Sequence, residues 1–134
     1  MVTVLDTNIL IGLAHGQKNV VAALNDVLDE TPAITVINKY EFLRGILISN
    51  LQEGKKEVQM SFLNQLEVYD FTSRTAGYCA DIYTKLRANG KLINELDVII
   101  LGICAENRVR LITNDQDFKG VDKIAEIDVK VLDY

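Results

Sequence analysis

Along the chain the spacing of apolar residues alternates between short continuous runs and a helical period near 3.6, and each switch marks a predicted element. Val2 to Leu5 is a short β-branched apolar run suited to a fully buried strand, and Asp6-Thr7-Asn8 then offers capping oxygens to a helix over Ile9 to Ala14. Val20, Val21, Leu24, Val27 and Leu28 follow helical spacing behind Asn19, which predicts a second helix capped at that asparagine. Ala33 to Ile37 returns to strand character, and Asn38 is the expected cap of a helix running to about Ser49. Lys55 to Leu66 reads as an amphipathic helix with Val58, Phe62, Leu63 and Leu66 inward, before a strand over Val68 to Phe71. Thr72 or Ser73 caps a long helix whose inner face is expected to hold Ala76, Cys79, Ile82, Tyr83 and Leu86, with Gly90 as its stop. Asn94 caps the next helix, through Asn107, and Leu111 to Thr113 and Val129 to Leu132 are the last strands. Such short strands between helices predict an α/β sandwich around a mostly parallel sheet of four or five strands.

No repeat or linker interrupts the pattern, and Pro32 sits in a predicted loop, so one domain over residues 1–134 is expected. Apolar residues make up 49% and charged ones 25%, the balance of a globular protein, and no run approaches the roughly 18 apolar residues of a membrane span. The first ten residues lack the basic leader and cleavage site of a signal peptide, which makes a cytoplasmic location the expectation. Cys79 and Cys104 fall inside apolar helical patterns and read as buried thiols in a reducing compartment, while the lone His15 reads as a helix-end residue.

A net charge of −5 argues against a protein that coats nucleic acid through a broad basic face. A carboxylate cluster neutralised by bound cations reconciles an acidic chain with a polyanionic substrate, because the ion carries positive charge to the phosphate. The positions of the acids make that reading concrete. In open α/β sheets ligands gather beyond the carboxyl ends of strands. Asp6 follows the first strand, Asp115 and Asp117 follow Leu111 to Thr113, Glu41 lies one turn into the helix after Ala33 to Ile37, and Asp97 lies one turn into the helix before Leu111. Each has a plainer explanation as a first-turn or turn residue, and Asn94-x-x-Asp97 has the form of a capping box. Together they differ, since two carboxylates about 4 Å apart repel by about 4 kcal/mol at an effective dielectric of 20, so convergence demands a cation or retained protons. An oxygen-only donor set favours Mg²⁺ or Mn²⁺ over zinc.

The sequence Val4-Leu5-Asp6-Thr7-Asn8-Ile9-Leu10 resembles the opening signature of PIN domains, and three further motifs follow in the family's order. Thr35 to Gly45 is similar to the segment carrying the second acid, placing Thr35, Glu41 and Gly45; Ile93 to Ala105 resembles the helix with the third acid, Asp97; and Leu111 to Phe118 resembles the T-x-N-x-x-D-F run, giving Asp117 as the fourth. Two departures stand out, Phe42 after the second acid and Leu101-Gly102 after the third, and neither removes an acid.

The resemblance implies a three-layer α/β/α sandwich and a ribonuclease that hydrolyses RNA phosphodiesters with divalent metal. Asp6 and Asp97 would be the principal ligands, with Glu41 and Asp117 completing the site directly or through water. Asn8, Thr113 and Asn114 are the uncharged groups expected to position ligands or substrate, against an ordinary role as caps and turn residues. Single-stranded or loop RNA is the expected substrate because unstacked strands can bend into a cleft. Lys39, Arg44, Arg74 and Arg87 are candidate phosphate contacts set against plain solvated charges. The resemblance further implies a VapC-type toxin held by a small antitoxin, and a homodimer. The alternative from another class is a non-catalytic RNA- or protein-binding module. An aspartyl-phosphate mechanism is disfavoured because Asp6-Thr7-Asn8 lacks the second acid of a D-x-D-x-T pattern.

Overall fold

The computed structural model describes residues 2–134. Its elements run β1 (Thr3–Leu5), α1 (Thr7–Ala14), α2 (Lys18–Val27), β2 (Ala33–Thr35), α3 (Val36–Ile48), α4 (Glu53–Asn64), β3 (Glu67–Tyr69), α5 (Ser73–Ala88), α6 (Glu95–Asn107), β4 (Arg110–Thr113), α7 (Val121–Ala125) and β5 (Val129–Val131). A single 3₁₀ turn over Gln116–Phe118 lies between β4 and α7. The sheet has five strands in the order β3-β2-β1-β4-β5, and every pairing is parallel, so β1 lies at its centre.

Alternation along the inner strands builds the three layers. Val4, Ala33 and Leu111 point to one face, where they pack with Ile82 and Leu86 of α5, Val98 and Leu101 of α6 and Val121 of α7. Leu5, Ile34 and Ile112 point to the other, against Ile9 and Leu10 of α1, Leu24 of α2, Phe42 of α3 and Leu63 of α4. Two glycines allow close helix approach. A Cβ on Gly12 would meet Val20 Cγ2 at 2.6 Å, and one on Gly102 would overlap Cys79 Sγ and sit 3.2 Å from the Cys79 amide, so α5 and α6 are in near-backbone contact there. Among the described residues no helix is long and apolar enough to cross a membrane.

Several element ends differ from the sequence expectation. Gln17, not Asn19, occupies the cap of α2 and makes no side-chain cap bond. The second strand stops at Thr35 rather than Ile37, because Thr35 itself caps α3: its hydroxyl accepts from Asn38 N while Asn38 Oδ1 accepts from Thr35 N. The helix expected from Lys55 starts at Glu53 and leaves Val58 exposed, and the third strand ends at Tyr69 with Phe71 outside it and exposed. On α5 the inward position is Thr75, not Ala76, since Thr75 closes a capping box with Thr72 and donates to Glu106 Oε1 of α6 at 2.5 Å. Asn94 does cap α6, Gly90 follows α5 with a φ of +66°, and His15 is the C-cap of α1. Cys104 is buried and Cys79 partly so, both as free thiols.

Candidate active site

Beyond the carboxyl ends of the central strands the structure opens a cleft of about 740 Å³ whose lining includes Asp6, Glu41, Asp97, Asp115 and Asp117. Asp6 is fixed first. As the cap of α1 it accepts from Thr7 N at 2.9 Å through Oδ1, while Oδ2 accepts from the Thr113 hydroxyl at 2.6 Å. Because β1 and β4 pair Leu5 with Ile112, the adjoining strand ends bring Asp6 and Thr113 side by side. Asp6 is only 7% exposed, and burial holds its carboxyl above the usual range despite the Thr113 and Thr7 bonds, with the Glu41 and Asp115 charges adding to the rise.

Glu41 enters from α3 on a fixed network. Buried Asn38 donates through Nδ2 to Thr7 Oγ1 at 3.1 Å, and Thr7 Oγ1 donates in turn to Glu41 Oε1 at 2.5 Å. The residues that start α1 and α3 therefore also orient the second acid.

Asp97 is held differently. Asn94 Oδ1 caps α6 through Leu96 N at 2.9 Å, so Asp97 plays no part in a capping box, and among the described residues its carboxylate has no hydrogen-bond partner. It is half-buried, and its pKa is pushed up to about 7, first by burial and then by the charges of Asp6, Asp115, Glu41 and Asp117.

After β4, Asp115 caps the 3₁₀ turn by accepting from Asp117 N at 2.9 Å, and its own amide donates to Thr113 Oγ1 at 3.0 Å. Thr113 thus ties two acids together. A family model described as PIN domain matches residues 3–124.

The chain belongs to the PIN domain family.

Among curated relatives of this PIN domain, Ribonuclease VapC2 of Rickettsia felis is 27% identical over 124 residues, covering 90% of this chain and 92% of that protein. Two solved structures share the fold. One is VapBC2 from Rickettsia felis bound to a DNA fragment from their promoter, with a TM-score of 0.82, 24% identity and coverage of 99% of this chain and 100% of the other. The second is VapBC-5 from Mycobacterium tuberculosis, described as a member of the VapBC family of toxin-antitoxin systems, with a TM-score of 0.76, 21% identity and 98% of each chain covered.

Within this PIN domain the sequence-derived candidates separate. Asp6, Glu41, Asp97, Asp117 and the exposed Asn8 all line the cleft. Thr113 is fully buried beneath it, where its hydroxyl donates to the Asp6 carboxylate and accepts from the Asp115 amide. Asn114 lies outside the lining and donates to the Tyr134 hydroxyl at 3.1 Å. Of the four candidate phosphate contacts only Arg44 lines the cleft; Lys39 faces an apolar groove along α3, and Arg74 and Arg87 belong to α5. Sequence reasoning missed Thr7 and Asn38 as organisers of Glu41, and it read Asp115 as a turn residue, which it is, without placing it in the cleft lining as well. The adjacent T-N-D-Q-D acids were the available signal for Asp115.

The donor set suits a hard divalent cation: every acidic group is an oxygen donor, and Asp97 has no hydrogen-bond partner among the described residues. Among the described residues, however, no three Asp, Glu, His or Cys side chains are already closed around one point. Mg²⁺ commonly takes one or two carboxylates and keeps several waters, so the arrangement fits an ion held by few direct side chains.

Proposed function

We propose that this PIN domain, spanning residues 1–134, is a divalent-metal-dependent ribonuclease that hydrolyses RNA phosphodiester bonds, in the role of a VapC-type toxin. One observation carries the reading: Asp97, without a hydrogen bond and with its pKa near 7, faces four other carboxylates in one cleft. Such crowding is unfavourable unless a cation or a proton relieves it. The relative named Ribonuclease VapC2 supports the reaction class.

Asp6 and Asp97 are the principal ligands in this reading, and Glu41 and Asp117 complete the site directly or through water, with Asp115 beside them. Bound Mg²⁺ or Mn²⁺ supplies Lewis acidity toward phosphate oxygens and acidifies water. The chain's own residues set the stage. Thr113 and Thr7 hold Asp6 in one orientation, Asn38 and Thr7 hold Glu41, and Asp97, pushed up to about 7, is protonated in part near neutrality. Asn8, exposed in the cleft lining, would contact substrate in this reading. Single-stranded or loop RNA fits an open cleft that a stacked duplex would have to unwind to enter.

The same reading brings protein partners and a location. A small antitoxin would block the cleft by placing an arginine among the acids through forked hydrogen bonds. A second copy of the chain would cover the exposed apolar residues of α3, Leu47 and Ile48. The cytoplasm is the proposed compartment. Purified protein should cleave single-stranded RNA, lose the activity to a chelator and regain it with manganese, and copurification from its host should retrieve the antitoxin. A non-catalytic binding module is the second reading, favoured by the lack of a preformed three-carboxylate grip among the described residues. RNA that stays intact in manganese would establish it.

A further inference from the structure

We propose that Arg44, carried on the ring of Tyr40, contacts the phosphodiester backbone of the substrate at the rim of the acidic cleft. The assignment rests on the ribonuclease reading and adds to it a residue that binds RNA rather than metal. Among the described residues Arg44 is the one basic side chain in the cleft lining, set against five acids. It follows Glu41 by three residues on α3, a spacing at which opposite charges on a helix ordinarily pair.

That pair is not formed. Glu41 is engaged by the Thr7 hydroxyl, and Arg44 instead lies with its guanidinium carbon 5.0 Å from the Tyr40 ring centroid and donates through Nη1 to the Tyr40 hydroxyl at 3.2 Å. The other N–H groups of the guanidinium have no protein acceptor among the described residues. An arginine beside five carboxylates thus keeps most of its donors free, in a planar fork that matches phosphate oxygens. Stacking on Tyr40 restricts the long side chain before any ligand arrives, so less freedom is lost on binding.

The neighbouring position points the same way. Gly45 also lines the cleft, and a Cβ there would meet nothing within 4 Å, so packing does not account for a glycine in mid-helix. Glycine weakens a helix relative to alanine, and here it keeps one position of the cleft lining free of any side chain. A polyanion entering this cleft meets repulsion from the acids not covered by metal, and Arg44 supplies attraction where the strand crosses the rim.

The test is steady-state cleavage of a labelled random-sequence single-stranded RNA pool in manganese at four salt concentrations, with wild type, Arg44→Ala, Arg44→Lys and Tyr40→Phe. Arg44→Ala should raise KM about tenfold with kcat within about twofold, and the slope of log(1/KM) against log salt should become shallower by about 0.7, the loss of one single-strand phosphate contact. Arg44→Lys should restore the slope but only part of KM, since it keeps the charge and loses the fork. Tyr40→Phe should raise KM about twofold with the slope unchanged, because the guanidinium keeps its charge and loses one hydrogen bond. Manganese binding followed by electron paramagnetic resonance should be unchanged or tighter in Arg44→Ala. No manganese-dependent cleavage by wild type overturns the ribonuclease reading itself. Wild-type cleavage alongside an Arg44→Ala protein with unaltered KM and slope overturns only the Arg44 assignment. An Arg44→Ala protein whose mass by light scattering changes while its slope does not also overturns it, and assigns the pair to a protein contact.

Discussion

Beyond the amino ends of β4 and β5 lies a second cavity, of about 420 Å³, and it is nearly as rich in charge as the cleft at the opposite end of the sheet. Its lining carries Asp81, Lys85, Arg108, Glu126 and Asp128 above the buried Cys104. There the signs are mixed: Lys85 pairs with Asp81 at 3.0 Å one turn away on α5, and both face solvent. At the carboxyl end five acids meet a single arginine, and that arginine is turned onto a tyrosine. Helix α6 spans both places, with Asp97 of its first turn in the cleft and its C-cap Arg108 at the cavity. The contrast separates a lining of mixed sign, with one ion pair formed inside it, from a lining whose charge is left for something outside the chain to balance.

The largest expected effect breaks that contrast at its centre. Asp97→Asn should reduce manganese-dependent cleavage by on the order of 10²-fold or more, while metal-free melting stays level or rises, since the substitution relieves repulsion and removes no hydrogen bond. A fall in melting temperature with cleavage retained would make Asp97 a structural residue and the cleft no different from the cavity.

Gly102→Ala probes the rod between the two ends. Its new methyl would overlap Cys79 Sγ and press on the α5 backbone, so a loss of about 1–3 kcal/mol is expected in denaturant unfolding, partly recovered by adding Cys79→Ala. An unchanged midpoint would show that α5 and α6 are not held at this distance.

A smaller, continuous effect lies in pH. The folded protein holds Asp97 near 7 against an ordinary 3.8, so between about pH 4 and 7 the folded state keeps a proton that the unfolded chain has released. Metal-free stability should therefore fall as pH rises through that window, with the full penalty above it. Asp6, raised in the same direction, adds to the slope. Magnesium should flatten the profile and Asp97→Asn should make it shallower, both read by urea unfolding at several pH values. The smallest effect belongs to the other end: Lys85→Met removes a solvent-screened pair and should move stability by less than about 0.5 kcal/mol without touching cleavage.

What the sequence revealed follows the range of the interactions involved. Strand β1 and the acid after it were readable because an unbroken apolar run followed by Asp6 is a local pattern, and the cap at Asn94 is equally local. The ends of β2 and α3 were not, because Asn38 resembles a cap in sequence and is the third residue of the helix in space, where its amide reaches Thr7 from 31 positions away. The bond of Asn114 was not legible for the same reason: its partner, Tyr134, lies 20 residues on, and no spacing rule connects them. The exchange of Ala76 for Thr75 as the buried residue of α5 depends on Glu106, a contact between helices that hydrophobicity alone does not register.

The unequal anchoring of Glu41 and Asp97 has a consequence for descent under selection. Asn38, whose amide reaches the Thr7 hydroxyl that orients Glu41, also closes the capping box at the start of α3, so changes there disturb folding as well as this acid. Asp97 has no such ties. Lineages pressed to silence the activity should therefore lose Asp97 first, by a one-step change that leaves a well-folded, inactive protein. Sequencing survivors of forced overproduction would reveal the bias, as substitutions concentrated at Asp97 rather than at Asn38 or Thr7.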